Sequence, residues 1–582
     1  MAQLSPSILI TMNTGPLPNL PVVTDETAEQ IEVAVSKQAS EESCSSIIRD
    51  LYSELRLQLK RPPLDPGGSC DPITASTYLR SVLGHVEKAV AELAGGYSAA
   101  RWLWYLRRLP RHVFEGRLAT TFGYDAALAE TASGLFGVGA DNLRVENGFF
   151  RYSIDGPAVK RVLRFCHAVR LMSDIHTALR FAGKGVTFRL EGNDPLPLPC
   201  PTPDQQQAID LYDNRVAAKQ HAFIRGGTPL VEQAGRDGGW LLTVTRMQPR
   251  WVPSIIGPLV GEHQSVQLLA RFLPEAFSFE RLRDLNSDPR VLGRTWEGPR
   301  AAALFVLLML APAVLAVLEH AVPTLMHYGY FALEEDLFRR VLAEYLPTCA
   351  DHVRGFLPST PAYRTGEQLL THLEDITGCL WPLRPGPVLR RSGTQLWVDL
   401  YSATNCLDSL LEFPRTPGDA VANARADHFE DVVQAAIDAS PWAPPPHVRE
   451  LRRRELRIRG EKITDVDAIG LHNSTLLLIS CKSLIYSAAY DVGDYQTVRN
   501  AASTVADAVD HWLQIAARLI ETPVGDNYNI STFAELLPIV CTPYPVYVPL
   551  GFATSEVRPG VRAAISLDEL TDWSQNPKLK KS

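Results

Sequence analysis

The chain has 582 residues, 46% hydrophobic and 21% charged, which fits folded material and excludes a single small module or a disordered polymer. Lys plus Arg number 57 against 65 Asp plus Glu, a formal charge of -8, so any contact with nucleic acid falls to a local basic surface. The nine cysteines form no CxxC pair and no zinc-like Cys/His set, and the N-terminus lacks the features of a secretory signal, so a reducing, cytoplasmic location is expected.

Residues 1–40, rich in Pro, Thr and Asn, read as a flexible leader. Residues 41–410 form a mainly α region of no assigned role, with helices expected at 76–96, 156–183, 203–223 and 323–346. In the second of these, Val159, Val162, Leu163, Cys166, Val169 and Met172 recur at helical spacing as a packing stripe. Gly183-Lys184-Gly185 lacks the Ser or Thr of a phosphate loop, and Gly96-Tyr97-Ser98-Ala99-Ala100 lacks the last glycine of a nucleophile elbow. The glycines of 225–240 read as turns.

Ala301–Leu318 is an uninterrupted apolar stretch at the lower length limit of a bilayer span. Six alanines, Pro312 and the immediate Glu319-His320 favour a buried core helix over a membrane span, which stays as the alternative. A strand pair is expected on either side of Ser392-Gly393. Residues 411–424, with two prolines and a glycine, read as a linker, and 425–582 as a second domain.

That domain opens with ADHFEDVVQAAID (426–438), in which Phe429, Val432, Val433, Ala436 and Ile437 mark one buried helix face and Glu430 adjoins it. A strand with one apolar and one basic face follows in RRELRIRG, then TDVDAIGL (464–471), a turn at His472-Asn473-Ser474, and the apolar TLLLISCKS (475–483). Ser480 and Lys482 share a strand face, and Asp467 on the neighbouring strand can meet them. An Asp, a backbone carbonyl and a Lys at a sheet edge suit phosphodiester cleavage with Mg²⁺, which prefers such hard oxygen ligands. Residues 447–462 hold six Arg and one Lys against three Glu, a net charge of +4, where a phosphate backbone would lie.

These residues resemble the PD-(D/E)xK (restriction-endonuclease-like) nuclease superfamily: Phe429-Glu430 on the first helix, Asp465 to Ile469 on the second strand and Ile479-Ser480-Cys481-Lys482 on the third. The helix carrying Val505, Val509 and Trp512, the strand ELLPIVCT (535–542) and the final VRAAIS–LDELTDW continue the order. The resemblance implies an α/β fold with a central mixed sheet flanked by helices, and an Mg²⁺- or Mn²⁺-dependent endonuclease acting on DNA in preference to RNA. It implies that Glu430 orients the metal water, Asp467 and the Cys481 carbonyl bind the metal, and Lys482 activates the nucleophile; Arg453, Arg454, Arg457 and Arg459 would face nucleic acid. Ser480 stands where most members carry an acid, so Glu430, Asp465, Asp491 or Asp494 is expected to supply the missing charge. The alternative is a catalytically degenerate nuclease fold that binds nucleic acid as a sensor. A homo-oligomer is compatible with either reading, a membrane partner is not expected, and defence against foreign DNA is a family-level expectation.

Overall fold

The computed structural model describes residues 26–41, 50, 52–54, 68–110, 113, 122–139, 141, 143–146, 149–190, 196–222, 241–247, 271–277, 298–318, 321–356, 360–381, 383–411 and 419–575. Most of the leader, the turns expected at 225–240 and the centre of the linker lie outside these residues. The described chain is mixed helix and sheet, built around several buried apolar cores.

The first core joins helices α1 (Glu26–Glu41), α2 (Pro72–Ala94), α3 (Ala99–Leu106), α4 (Phe122–Phe136) and α5 (Gly156–Gly183). The leader is therefore not mobile throughout: its last part is helical because Ile31 and Val35, one turn apart, both bury against this core. Helix α2 starts where the Asp71 carboxylate accepts the Ile73 and Thr74 N–H groups ahead of Pro72, an N-cap that satisfies donors the helix cannot. Ser98, the serine of the failed elbow motif, likewise caps α3. The stripe of α5 is buried as expected, and α6 (Pro203–Ala222) follows.

The second core surrounds α7 (Gly298–Val317), whose residues from Ala301 to Leu308 are all buried. A helix apolar on every side needs neighbours on every side, and the helices over 335–356, 366–374 and 400–411 supply them. No helix among the described residues is long and apolar enough to cross a membrane. Ala301–Leu318 is thus a core helix.

The helix expected over 323–346 is broken. Helix α8 (Val322–Tyr328) ends at Gly329, whose φ of +70° is the left-handed conformation that glycine adopts without strain. The next residues, YFALE, form strand β1 (Tyr330–Glu334) before α9 (Glu335–Phe356) begins. Helical spacing concealed the strand because a short apolar run such as YFAL fits a buried helix or a buried strand equally. Helix α10 (Gly366–Glu374) then leads to the expected hairpin, β2 (Leu389–Ser392) and β3 (Gln395–Asp399), and to α11 (Leu400–Leu411). Strand β3 is central in the antiparallel order β1-β3-β2, which explains why all five of its residues are buried.

A closed charge cluster links these two cores. Arg107 of the α3 C-cap binds Glu130 at 2.6 Å and Asp399 at 3.1 Å, and Arg390 binds Asp399 at 2.8 Å, all with side chains at most 1% exposed. Removing one member strands buried charge, so Arg107→Ala is expected to cost about 3–5 kcal/mol in urea unfolding. A loss below about 1 kcal/mol would show the cluster to be hydrated.

The C-terminal region opens with α12 (Asp419–Asp438), which starts within the segment expected to be a linker. Strands β4 (Leu456–Ile458) and β5 (Glu461–Thr464) pair as a small hairpin. The main sheet has order β6-β7-β8-β9, from β6 (Ala468–His472), β7 (Thr475–Cys481), β8 (Glu535–Thr542) and β9 (Ala564–Ser566). Its first pair is antiparallel and the others parallel. Helix α13 (Tyr495–Glu521) covers one face and α12 with α14 (Leu567–Gln575) the other. Alternation along β7 sends Leu476 and Leu478 towards α13, and Leu477 and Ile479 towards α12, so both faces are buried.

The two regions share structure. Ile209 and Tyr212 of α6 pack in one apolar cluster with Tyr490, Val498 and Tyr547. His176 of α5 lies 3.4 Å from the Asp491 carboxylate, and Arg80 of α2 lies 2.9 Å from Asp494. Gly183 meets Gly493 so closely that an added Cβ would sit 2.5 Å from the Gly493 carbonyl oxygen.

Candidate active site

The expected strand over 464–471 divides at Asp465–Asp467, so Asp467 stands one residue before β6. The register pairs Ala468 with Ile479, which places Asp467 beside the end of β7. Its carboxylate accepts the Cys481 N–H at 2.6 Å, and its carbonyl accepts Arg452 Nε at 2.9 Å. Burial raises the Asp467 carboxyl above its ordinary range; the Cys481 N–H and the Lys482 charge work against that rise. Ser480 is buried and adds a weak hydrogen-bonding influence on Asp467.

Glu430 projects from α12 with 19% of its side chain exposed. Its carboxyl is raised first by burial and next by the charge of Asp467, so the two acids sense one another. Lys482 is fixed by its main chain, whose N–H donates to the Cys541 carbonyl at 2.8 Å and ties the residue to the end of β8. Among the described residues no carboxylate comes within ion-pair distance of its ammonium. Burial keeps the Cys481 thiol protonated, leaving the carbonyl as the donor that residue can offer a hard cation.

Glu430, Asp467, Ser480, Cys481 and Lys482 thus meet at one end of β6 and β7. Asp465 is exposed beside Lys462, though its charge raises Asp467. Asp491 and Asp494 do not join the site: Asp491 turns to His176 and Tyr486, and Asp494 caps α13 while binding Arg80. Among the described residues no three His, Cys, Asp or Glu side chains form a metal-holding group. The oxygen groups gathered at this end of the sheet are the two carboxylates and the Cys481 carbonyl. Two neighbouring acids with raised protonation ranges repel one another, a repulsion that a bound cation would relieve.

The arginines differ from the expectation of a free basic strip. Arg453, at φ +58°, directs Nε to Glu430 at 3.0 Å and a terminal nitrogen to Asp431 at 3.1 Å. Arg454 lies 3.7 Å from Glu450, and Arg457 lies 2.7 Å from Glu455. The Arg459 guanidinium alone of the four has no carboxylate partner among the described residues; only the main-chain N–H of Arg459 donates to the Asp526 carboxylate. Much of the +4 run is neutralised within the fold. Sequence reading missed Arg452 and Arg453 as supports for the two acids, and only the density of arginine there signals them.

Arg453 lowers the Glu430 protonation range. Arg453→Ala is expected to move the acid limb of a pH–rate profile upwards, and an unmoved limb would remove Glu430 from the titrating groups.

No protein family, curated protein or solved structure matches this chain.

Proposed function

We propose that the C-terminal region is a metal-dependent nuclease of the PD-(D/E)xK type, hydrolysing phosphodiester bonds in DNA as an endonuclease. The observation that carries this reading is the meeting of Glu430, Asp467 and Lys482 at the open end of a buried mixed sheet. Asp467, Glu430 and the Cys481 carbonyl would hold Mg²⁺ or Mn²⁺, which supplies Lewis-acid polarisation of the phosphate.

The chain's own groups have separable tasks. Lys482 offsets phosphate charge and orients the attacking water. Glu430, beside Asp467, would orient the attacking water. Cys481 N–H and Arg452 hold Asp467 in place. Arg453 has to release Glu430, or share it, when phosphate arrives, and Arg459, whose guanidinium has no carboxylate partner among the described residues, offers a cation to the strand.

Incubation of the full chain with supercoiled plasmid and Mg²⁺ tests the proposal. Nicking that requires the metal and disappears with Asp467→Asn and Lys482→Ala supports it; cleavage indifferent to both variants overturns it. The uncharged Ser480 and the Arg453 cover on Glu430 favour a second reading, a nuclease fold that binds DNA without cutting it. Retained DNA binding with no metal-dependent nicking would establish that reading instead.

A further inference from the structure

We propose that Arg425 is a positioning residue of the candidate active site, a role that rests on the nuclease reading: through the hydroxyl of Ser483 it fixes the main chain that carries Lys482. Arg425 lies on α12 one turn before Phe429, on the buried side of the helix that also carries Glu430. Helix α12 follows β6 in the same direction. Ile437 meets Gly470, Gln434 accepts the Ile469 N–H at 2.9 Å, and Glu430 senses Asp467. Each turn back along the helix is thus a step back along the strand, and the turn holding Arg425 reaches past the strand end, to where the chain leaves β7. There its Nε donates to the Ser483 hydroxyl at 3.0 Å.

Ser483 is the middle residue of a tight turn. The Leu484 N–H donates to the Lys482 carbonyl, two residues back, at 2.8 Å, while the Lys482 N–H donates to the Cys541 carbonyl at 2.8 Å. The main chain of Lys482 is therefore held on one side by β8 and on the other by a three-residue turn whose central hydroxyl is bound from α12. One helix supplies both Glu430 and this tie, so the lysine is fixed relative to the acid.

Burial separates this task from a contact with substrate. Arg425 is 7% exposed, whereas Arg453, Arg454, Arg457 and Arg459 are all exposed. Burying a cation is costly unless hydrogen bonds offset the lost water, and the bond to Ser483 is one that does so. A reacting group displaced by about 1 Å loses rate on the order of a hundredfold, which gives a tether of this kind its leverage.

Steady-state nicking of supercoiled plasmid by the full chain at saturating Mg²⁺ tests the tether. Arg425→Gln and Ser483→Ala are each expected to lower kcat roughly tenfold to a hundredfold with KM changed by less than about twofold, the pattern of a misplaced group rather than of a lost substrate contact. The double variant should lose no more than the worse single variant, because both changes cut one link. Ser483→Thr, which keeps the hydroxyl, should retain most of the rate. Hydrogen exchange gives a readout that needs no cleavage: exchange over 481–485 should quicken about tenfold or more in Arg425→Gln and Ser483→Ala. Residues 468–472, where Gln434 of the same helix holds the Ile469 N–H, should stay protected and so show α12 still docked. A native chain that does not nick overturns the nuclease reading, and the exchange then still decides the tether. With nicking by the native chain, an unchanged kcat in Ser483→Ala, additive losses in the double variant, or unchanged exchange over 481–485 overturns the role of Arg425 alone.

Discussion

Asp467→Asn is expected to lower metal-dependent cleavage roughly a thousandfold while making the metal-free protein more stable. The two effects share one cause. The Asp467 carboxyl is raised by burial and lies close enough to Glu430 for its charge to raise that acid too. Above the raised ranges both groups are ionised against the preference of the site. In the window between the ordinary carboxylate range and the raised one, the folded chain binds protons the unfolded chain has released, so stability falls as pH rises through it. Asparagine still accepts the Cys481 N–H but carries no charge to repel Glu430. A gain of about 1 kcal/mol at neutral pH is expected, shrinking as the solution is acidified. Thermal melting across pH in chelator checks this, and Mg²⁺ should raise the melting temperature of the native chain but not of the variant. Equal metal stabilisation of both chains would mean that the cation binds elsewhere.

Lys482→Ala is expected to cost roughly a hundredfold to a thousandfold in cleavage rate with little change in folding stability. The main chain at this position is tied by its N–H to the Cys541 carbonyl, a bond alanine keeps, while no carboxylate partner among the described residues depends on the ammonium. Arginine at 482 should restore only part of the rate, since a planar fork does not replace a compact point charge beside a water. Single-turnover cleavage against metal concentration separates the roles: a loss at saturating Mg²⁺ places Lys482 in the chemical step, whereas a loss cured by more Mg²⁺ would make it a metal-affinity group.

The C-terminal elements were legible because their patterns are unambiguous. Apolar residues of α12 and α13 recur at helical spacing, β7 is apolar along most of its length, and the turn at 472–474 is short and polar. Those features carried the positions of Glu430, Asp467 and Lys482. The roles of Arg452 and Arg453 were hidden, because Arg453 takes a left-handed conformation that sequence does not advertise and its partners lie more than twenty residues away. Asp491 and Asp494 looked available for the site on proximity in sequence, yet the chain after Lys482 runs to α5 and gives both acids to other partners. In the helical region, β1 was lost within a helical pattern, and its pairing to β3 is a contact some sixty residues distant that no local window contains.

The meeting of Gly183 with Gly493 bears on whether the two regions can be separated. Side chains of any size are barred from both positions, and Tyr490, Val498 and Tyr547 have their shelter only while α6 is present. A C-terminal half cut free at residue 425 would expose that aromatic seam to water and lose the brace behind the segment following Lys482. Transplanting either half onto a foreign companion would require recreating a backbone crossing with no room for a methyl group.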